Sequence, residues 1–176
     1  MQKHKNSIRK AIREKIKSFS LDELNDISRG LLSMLENNPL FINAQNILLF
    51  HSLIDEVNTH QFIEDWKSKK NIFLPVVKGE NLEIRPYRNN SILEKGNFGI
   101  LEPQSTRITD LSIIELAIIP GLAFDHKMNR LGRGKAFYDR LLPQLSCPKI
   151  GICFPFQYLD TILTEAHDIP MDIILH

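Results

Sequence analysis

Arg130, Arg133 and Lys135 place three cations around Gly132 and Gly134 within the six residues Arg130-Leu-Gly-Arg-Gly-Lys135. Glycine lets backbone approach a ligand closely, and the free N–H groups opening a following helix point outward, so such a corner favours an anion. Asp125 and Asp139 flank the run, where a carboxylate could approach a magnesium ion. The stretch is neither of the standard nucleotide loops. Phe137 stands where the dinucleotide fingerprint has its third glycine, Asn129 takes the first glycine position of a phosphate loop, and Ala136 follows Lys135 instead of Ser or Thr. The residues alone leave two readings open: a nucleotide phosphate site of non-standard form, or a surface turn with solvated cations.

Other residues could join that chemistry. Lys5 and Arg9 are four apart and share one face of a helix, where both could reach one polyphosphate or simply be solvated. Glu56 follows a predicted strand end, where a carboxylate could accept hydrogen bonds from an aminopteridine or a ribose, or be an ordinary loop acid. His51 at the same end could contact a ligand or be structural. The six histidines show no paired metal spacing, which argues against a histidine-bound zinc site. Cys147 and Cys153 are too few for a disulfide framework and are expected to be reduced.

The elements that must position these residues are readable from periodicity. Ile8, Ala11, Ile12 and Ile16 form an apolar stripe on a helix from Gln2 to Lys17 with a basic opposite face. Ser20-Leu-Asp-Glu23 has the form of a capping box and opens a second amphipathic helix that ends at Asn37-Asn38-Pro39. Ile47–Phe50, Ile72–Val77, Leu116–Ile119, Lys149–Cys153 and Ile173–Leu175 are short apolar runs suited to buried strands. Thr59 can cap a helix carrying Phe62, Ile63 and Trp66. Residues 79–103 are richer in turn formers, and Leu82–Arg85 alternates like a half-exposed strand, which predicts a small antiparallel excursion. After the basic stretch, Phe137, Leu141 and Leu145 line a helix that Pro143 ends early. Alternating strands and helices predict one three-layer αβα domain over residues 1–176 with a largely parallel sheet, whose ligand sites lie beyond the carboxyl ends of the strands.

Composition narrows the function classes. The chain has 176 residues, 43% of them hydrophobic, enough for a substantial core. Lysine and arginine total 22 against 21 acids, a net charge of +1, so nothing general favours nucleic acid or an acidic membrane surface. No apolar run approaches the ~20 residues of a membrane helix, and no signal core precedes the first helix. A soluble cytoplasmic protein, taken as a monomer, is the expectation.

Several ordered segments then agree with one family. Pro120-Gly-Leu-Ala-Phe-Asp125, Arg130-Leu-Gly-Arg-Gly134 and Phe137-Tyr-Asp139 stand in the family's order and spacing. Lys5-x-x-x-Arg9, Ser52-Leu-Ile-Asp-Glu-Val-Asn-Thr59, Phe98-Gly-Ile-Leu-Glu-Pro103, Gln157 and His167-Asp-Ile-Pro-Met-Asp172 extend the agreement over nearly the whole chain. The chain resembles the 5-formyltetrahydrofolate cyclo-ligases, also called methenyltetrahydrofolate synthetases. It departs from them at Met128 and Ala136, where glycine is usual, and at Phe50 and Phe137, where tyrosine is common.

The resemblance implies a CoA-transferase-like α/β fold and an ATP- and magnesium-dependent conversion of 5-formyltetrahydrofolate, polyglutamylated or not, to 5,10-methenyltetrahydrofolate. The formyl oxygen is phosphorylated, the folate arylamine attacks, and ADP and phosphate are released. It further implies that Lys5, Arg9, Arg130, Arg133 and Lys135 bind phosphate groups, beside a nucleotide loop of Leu131, Gly132, Gly134, Ala136, Phe137 and Tyr138. Arg133, Lys135 and Tyr138 would carry catalysis, His51 and Glu56 would meet the substrate, and Asp139 with Asp172 would hold Mg2+. Two rivals use the same residues: a non-catalytic relative that binds an anionic metabolite on this scaffold, and a nucleic-acid binder. Near-neutral charge and the lack of aromatics among the cations oppose the second.

Overall fold

In the computed structural model, which describes residues 2–96, 99, 101–165 and 168–176, helices gather on one face of a central sheet. Phe98, Ile100 and His167 of the motifs quoted above lie outside the described residues. The helices are α1 (Gln2–Lys17), α2 (Leu21–Glu36), α3 (Pro39–Asn43) and α4 (His60–Trp66). α2 opens as its sequence predicts: Ser20 Oγ accepts from Glu23 N, and the Glu23 carboxylate accepts from Ser20 N. A complete capping box of this kind satisfies two otherwise orphaned donors.

The six-stranded sheet is built from β1 (Asn46–Leu48), β2 (Asn71–Lys78), β3 (Asn81–Tyr87), β6 (Leu116–Pro120), β9 (Lys149–Ile152) and β11 (Ile173–Leu175). Its order is β11-β9-β6-β1-β2-β3, with every neighbouring pair parallel except β2 and β3. The predicted excursion is therefore real. β2 and β3 form a hairpin around Gly79 at φ +59°, and β4 (Leu93–Lys95) pairs with β5 (Leu101–Pro103) in a second antiparallel ladder.

Alternate residues of the central strands divide between two cores. Ile47, Leu49, Ile72, Leu74, Leu116 and Ile118 meet the helical layer, while Leu48, Phe73, Ala117 and Ile119 meet the opposite layer. Continuous apolar runs are what a sheet buried on both faces requires. The second layer is thin, supplied by α5 (Phe137–Leu141) and the 3-10 turn Leu142–Gln144, with Leu141, Leu142 and Leu145 packed on the sheet. Pro143 lies in that turn and cannot donate to a longer helix. Cys147 and Cys153 are buried and unpaired, and burial raises both thiol pKa values, that of Cys153 to about 12. They are inert core residues.

One element was not foreseen in the sequence. Between β6 and the glycines stands a hairpin of β7 (Ala123–Asp125) and β8 (Arg130–Leu131), with β10 (Tyr158–Leu159) on its other side. Asp125 builds that hairpin. It is fully buried and accepts from Lys127 N, Asn129 N, Asn129 Nδ2 and Ile162 N, so its oxygens are committed to protein donors and not to a metal. Met128 takes φ +65° in the same turn.

Candidate active site

The carboxyl ends of β1, β2 and β6 open onto a cavity of about 340 Å3. Phe50 and His51 continue from β1, Pro75 and Val77 come from β2, Leu82 from β3, and Pro120 and Gly121 close β6. This is the edge at which open α/β sheets bind ligands. Two loops complete it: one carries Leu53 and Glu56, the other Gly132, Arg133, Lys135 and Ala136, leading into Phe137, Tyr138 and Asp139. The cavity thus has an apolar side and a cationic side.

The basic loop is shaped from below by α1. Arg9, only 8% exposed, donates from Nε to Gly132 O at 2.9 Å and from Nη1 to Asn6 Oδ1 at 2.7 Å. Gly134 lies over the same guanidinium with φ +94°, a left-handed conformation that favours glycine. Burial, with Arg13 close by, lowers the pKa of Arg9, and Asp139 opposes that effect. Ala136 adopts φ +57° and ψ +16° immediately before α5. Ala136 therefore holds a left-handed backbone that glycine would adopt more cheaply, at a cost of about 1 kcal/mol.

Arg130 and Arg133 are both paired. Arg130 bonds Asp139 Oδ1 through Nη2 and Pro120 O through Nη1 at 3.3 Å, and its guanidinium lies 5.4 Å from the Tyr138 ring centroid. Arg133 grips Asp55 with Nη1 at 3.0 Å and Nη2 at 2.5 Å, and its Nε meets Glu56 Oε1 at 3.1 Å. The planar guanidinium fork suits such bidentate pairing. Burial opposes the charge of Arg133, but the two carboxylates more than offset it and raise its pKa. Burial likewise raises the pKa of Glu56, with Arg133 pulling the other way. Lys135 and Arg13 also line the cavity, and among the described residues neither forms an ion pair.

The neutral polar groups are equally defined. His51 stacks on His60 with ring centroids 3.9 Å apart, and its buried Nδ1 has no hydrogen-bond partner. Burial, then the neighbouring His60, depresses its pKa to about 4, with Glu64 opposing, so the imidazole is neutral at physiological pH. Burial pushes the Tyr138 phenol up, with Glu56 adding and Arg130 opposing. Tyr138 is thus a hydrogen-bond donor and not a base.

Most of the residues singled out from sequence converge here: His51, Glu56, Arg130, Gly132, Arg133, Lys135, Ala136, Phe137, Tyr138 and Asp139 all line the cavity. Five stand elsewhere. Lys5 lies off the cavity wall and pairs with Asp168 at 3.3 Å. Arg9 and Gly134 act beneath the loop, and Leu131 is a core residue, 1% exposed, whose carbonyl accepts from Leu122 N at 2.8 Å. Asp172 is on the opposite edge of the sheet. It precedes β11, and its Oδ2 accepts from Lys149 N, at the start of β9, at 2.7 Å. Among the described residues no group of three or more His, Cys, Asp or Glu could hold a metal, so Asp139 is left as a lone carboxylate. The helix-terminus argument also weakens, because α5 has only five residues and little dipole. The anion preference rests on side chains.

Sequence reasoning missed Arg13 and Glu102. Arg13 was signalled, since Lys5, Arg9 and Arg13 recur every four residues on one helix face. Glu102 lies inside a quoted motif but carried no chemical pattern of its own.

A largely parallel α/β domain with a part-cationic, part-apolar cavity at the carboxyl edge of its sheet belongs to the open-sheet α/β class, whose ligand sites lie at that edge. The chain is a member of the 5-formyltetrahydrofolate cyclo-ligase family, whose model matches residues 1–176. It is 31% identical over 159 residues to the Haemophilus influenzae 5-formyltetrahydrofolate cyclo-ligase, covering 85% of this chain and 82% of that one. It is 26% identical over 188 residues to the mouse enzyme of the same name, covering 98% and 93%. The NMR structure of Aquifex aeolicus 5,10-methenyltetrahydrofolate synthetase superposes with a TM-score of 0.88 at 30% identity, covering 97% of this chain and 88% of that one. Among the described residues no helix is long and apolar enough to cross a membrane.

Proposed function

We propose that this chain converts 5-formyltetrahydrofolate to 5,10-methenyltetrahydrofolate, with ATP and Mg2+ consumed as the MgATP complex and ADP and phosphate released. The observation that carries this reading is the two-sided cavity, with Arg13 and Lys135, which form no ion pair among the described residues, on one side and Phe50, Leu53, Pro75, Val77 and Leu82 on the other. The cations fit a polyphosphate, and the apolar walls fit the faces of a pteridine while excluding water. Asp139 fits as one protein ligand of magnesium, which normally keeps water and phosphate oxygens in its remaining positions.

When bound, ATP supplies the phosphoryl group that lets the formyl oxygen depart as phosphate, and the metal neutralises charge on the phosphates. The chain's own part is placement and charge. Arg13 and Lys135 stabilise the phosphate oxygens, and Arg9 and Arg130 hold the loop against which they work. Tyr138 donates a hydrogen bond from its protonated phenol, and the orphaned Nδ1 of His51 gives the substrate a polar contact. Ring closure joins the arylamine nitrogen to the formyl carbon and releases the proton that nitrogen carried. Glu56 is the acceptor, because burial raises its basicity.

Purified protein with 5-formyltetrahydrofolate, magnesium and ATP is expected to develop the absorbance of the methenyl product, and none without ATP. A folded protein that binds ATP but yields no methenyl product overturns the proposal in favour of the non-catalytic metabolite binder.

A further inference from the structure

Among the described residues, Glu102 is the one cavity-lining carboxylate without an ion-pair partner. Its residue is 7% exposed, and among the described residues it forms no ion pair, whereas Glu56 meets Arg133 and Asp139 meets Arg130. Among the described residues its carboxylate accepts one hydrogen bond, a long one from Val77 N to Oε1 at 3.4 Å. The neighbouring cavity wall is apolar, formed by Pro75, Val77 and Leu82. Burying a charged group without a partner is unfavourable, and proteins do it where a ligand completes the site.

The surroundings are built to keep the carboxylate there. A Cβ at Gly96 would overlap the Glu102 carboxylate, so glycine at 96 leaves the space it occupies. Glu102 sits on β5, paired with Glu94 of β4, and this small ladder places it against the end of β2.

We propose that Glu102 is a specificity-determining residue that binds the 2-amino and N3–H edge of the substrate's pyrimidine ring through paired hydrogen bonds. This rests on the folate reading of the cavity. A carboxylate is acceptor-only and takes two parallel donors, the geometry that makes guanidinium pairs strong. The 2-amino-4-oxopyrimidine ring of the folate presents two such donors side by side. Adenine does not match, because its amino group stands between lone-pair acceptors that would face a carboxylate oxygen. The amino-pyrimidine edge also lies away from the N5 formyl group. Anchoring it at Glu102 orients the reacting end of the bicycle away from the β5 wall.

The test compares wild type, Glu102→Gln and Glu102→Ala for 5-formyltetrahydrofolate and its 2-desamino analogue. Equilibrium binding is measured by calorimetry, and turnover by methenyl absorbance. Folate affinity and 1/KM are expected to fall about tenfold or more in Glu102→Ala, with KM for ATP unchanged. Wild type should prefer the parent over the analogue, and the alanine variant should lose that preference. Glu102→Gln should keep the fold, melt higher than wild type because the uncompensated charge is gone, and still bind the folate more weakly.

Unchanged folate affinity in both variants, or a shift in KM for ATP instead, overturns the assignment. A wild type that binds the folate in a Glu102-dependent way but forms no methenyl product supports the assignment while sinking the ligase reading. A ligase whose discrimination ignores position 102 does the reverse.

Discussion

The cations around the cavity fall into two groups that look alike in sequence and differ in structure. Arg9, Arg130 and Arg133 each hold protein oxygens: Gly132 O and Asn6 for the first, Asp139 and Pro120 O for the second, Asp55 and Glu56 for the third. Arg13 and Lys135 hold none among the described residues. The first group holds the loop: carboxylates answer the charge of Arg130 and Arg133, while Arg9 touches only neutral oxygens. The second group leaves positive charge for an anion to answer.

The comparison breaks most visibly at Arg133. Arg133→Ala leaves Glu56 buried without its cation, a change expected to cost about 3 kcal/mol of stability at neutral pH. Burial already raises the pKa of Glu56, and removing Arg133 raises it further. A carboxyl whose folded pKa stands above its unfolded value binds more protons when folded, so the variant loses stability as pH rises through that window. Denaturant melts near pH 5 and pH 8 should show the deficit growing with pH. A deficit that is equal at both, or absent, removes the structural role of the pair.

A smaller effect sharpens the same contrast in the backbone. Ala136 holds φ +57° at the start of α5 with no glycine to relieve it. Ala136→Gly is expected to stabilise the protein by up to about 1 kcal/mol, less the entropy that glycine adds to the unfolded chain. A variant that melts lower than wild type would mean that the methyl group packs usefully. Met128, at φ +65°, is a poorer probe because its side chain packs against the second core.

The strands and helices were legible because burial on both sheet faces leaves continuous apolar runs, as at Leu116–Ile119, and because Ser20 and Glu23 announce a cap. The β7–β8 hairpin was not, since strands of three and two residues carry no periodicity and Asp125 reads as a free acid until its four donors are seen. Lys5 and Arg13 share a helix face yet stand about 12 Å apart along the axis, so only one can reach the cavity while Arg9 touches the loop between them. The edge on which Asp172 falls could have been read from sequence. A residue before a parallel strand lies at the edge opposite the residues that follow such strands, and the site lies with the latter. Glu102 had no local signature, because its isolation from any cation is a property of the folded cavity.

The central claim is that the unpaired cations receive the polyphosphate while the paired ones hold the loop. It is tested most directly by the ATP-induced shift in melting temperature for wild type and for the double variant Arg13→Ala, Lys135→Ala. Wild type should melt higher with MgATP, by the mass-action stabilisation of a bound ligand. The double variant should melt within a degree or two of ligand-free wild type and show little or no shift with MgATP. A double variant that MgATP stabilises as much as wild type would contradict the account.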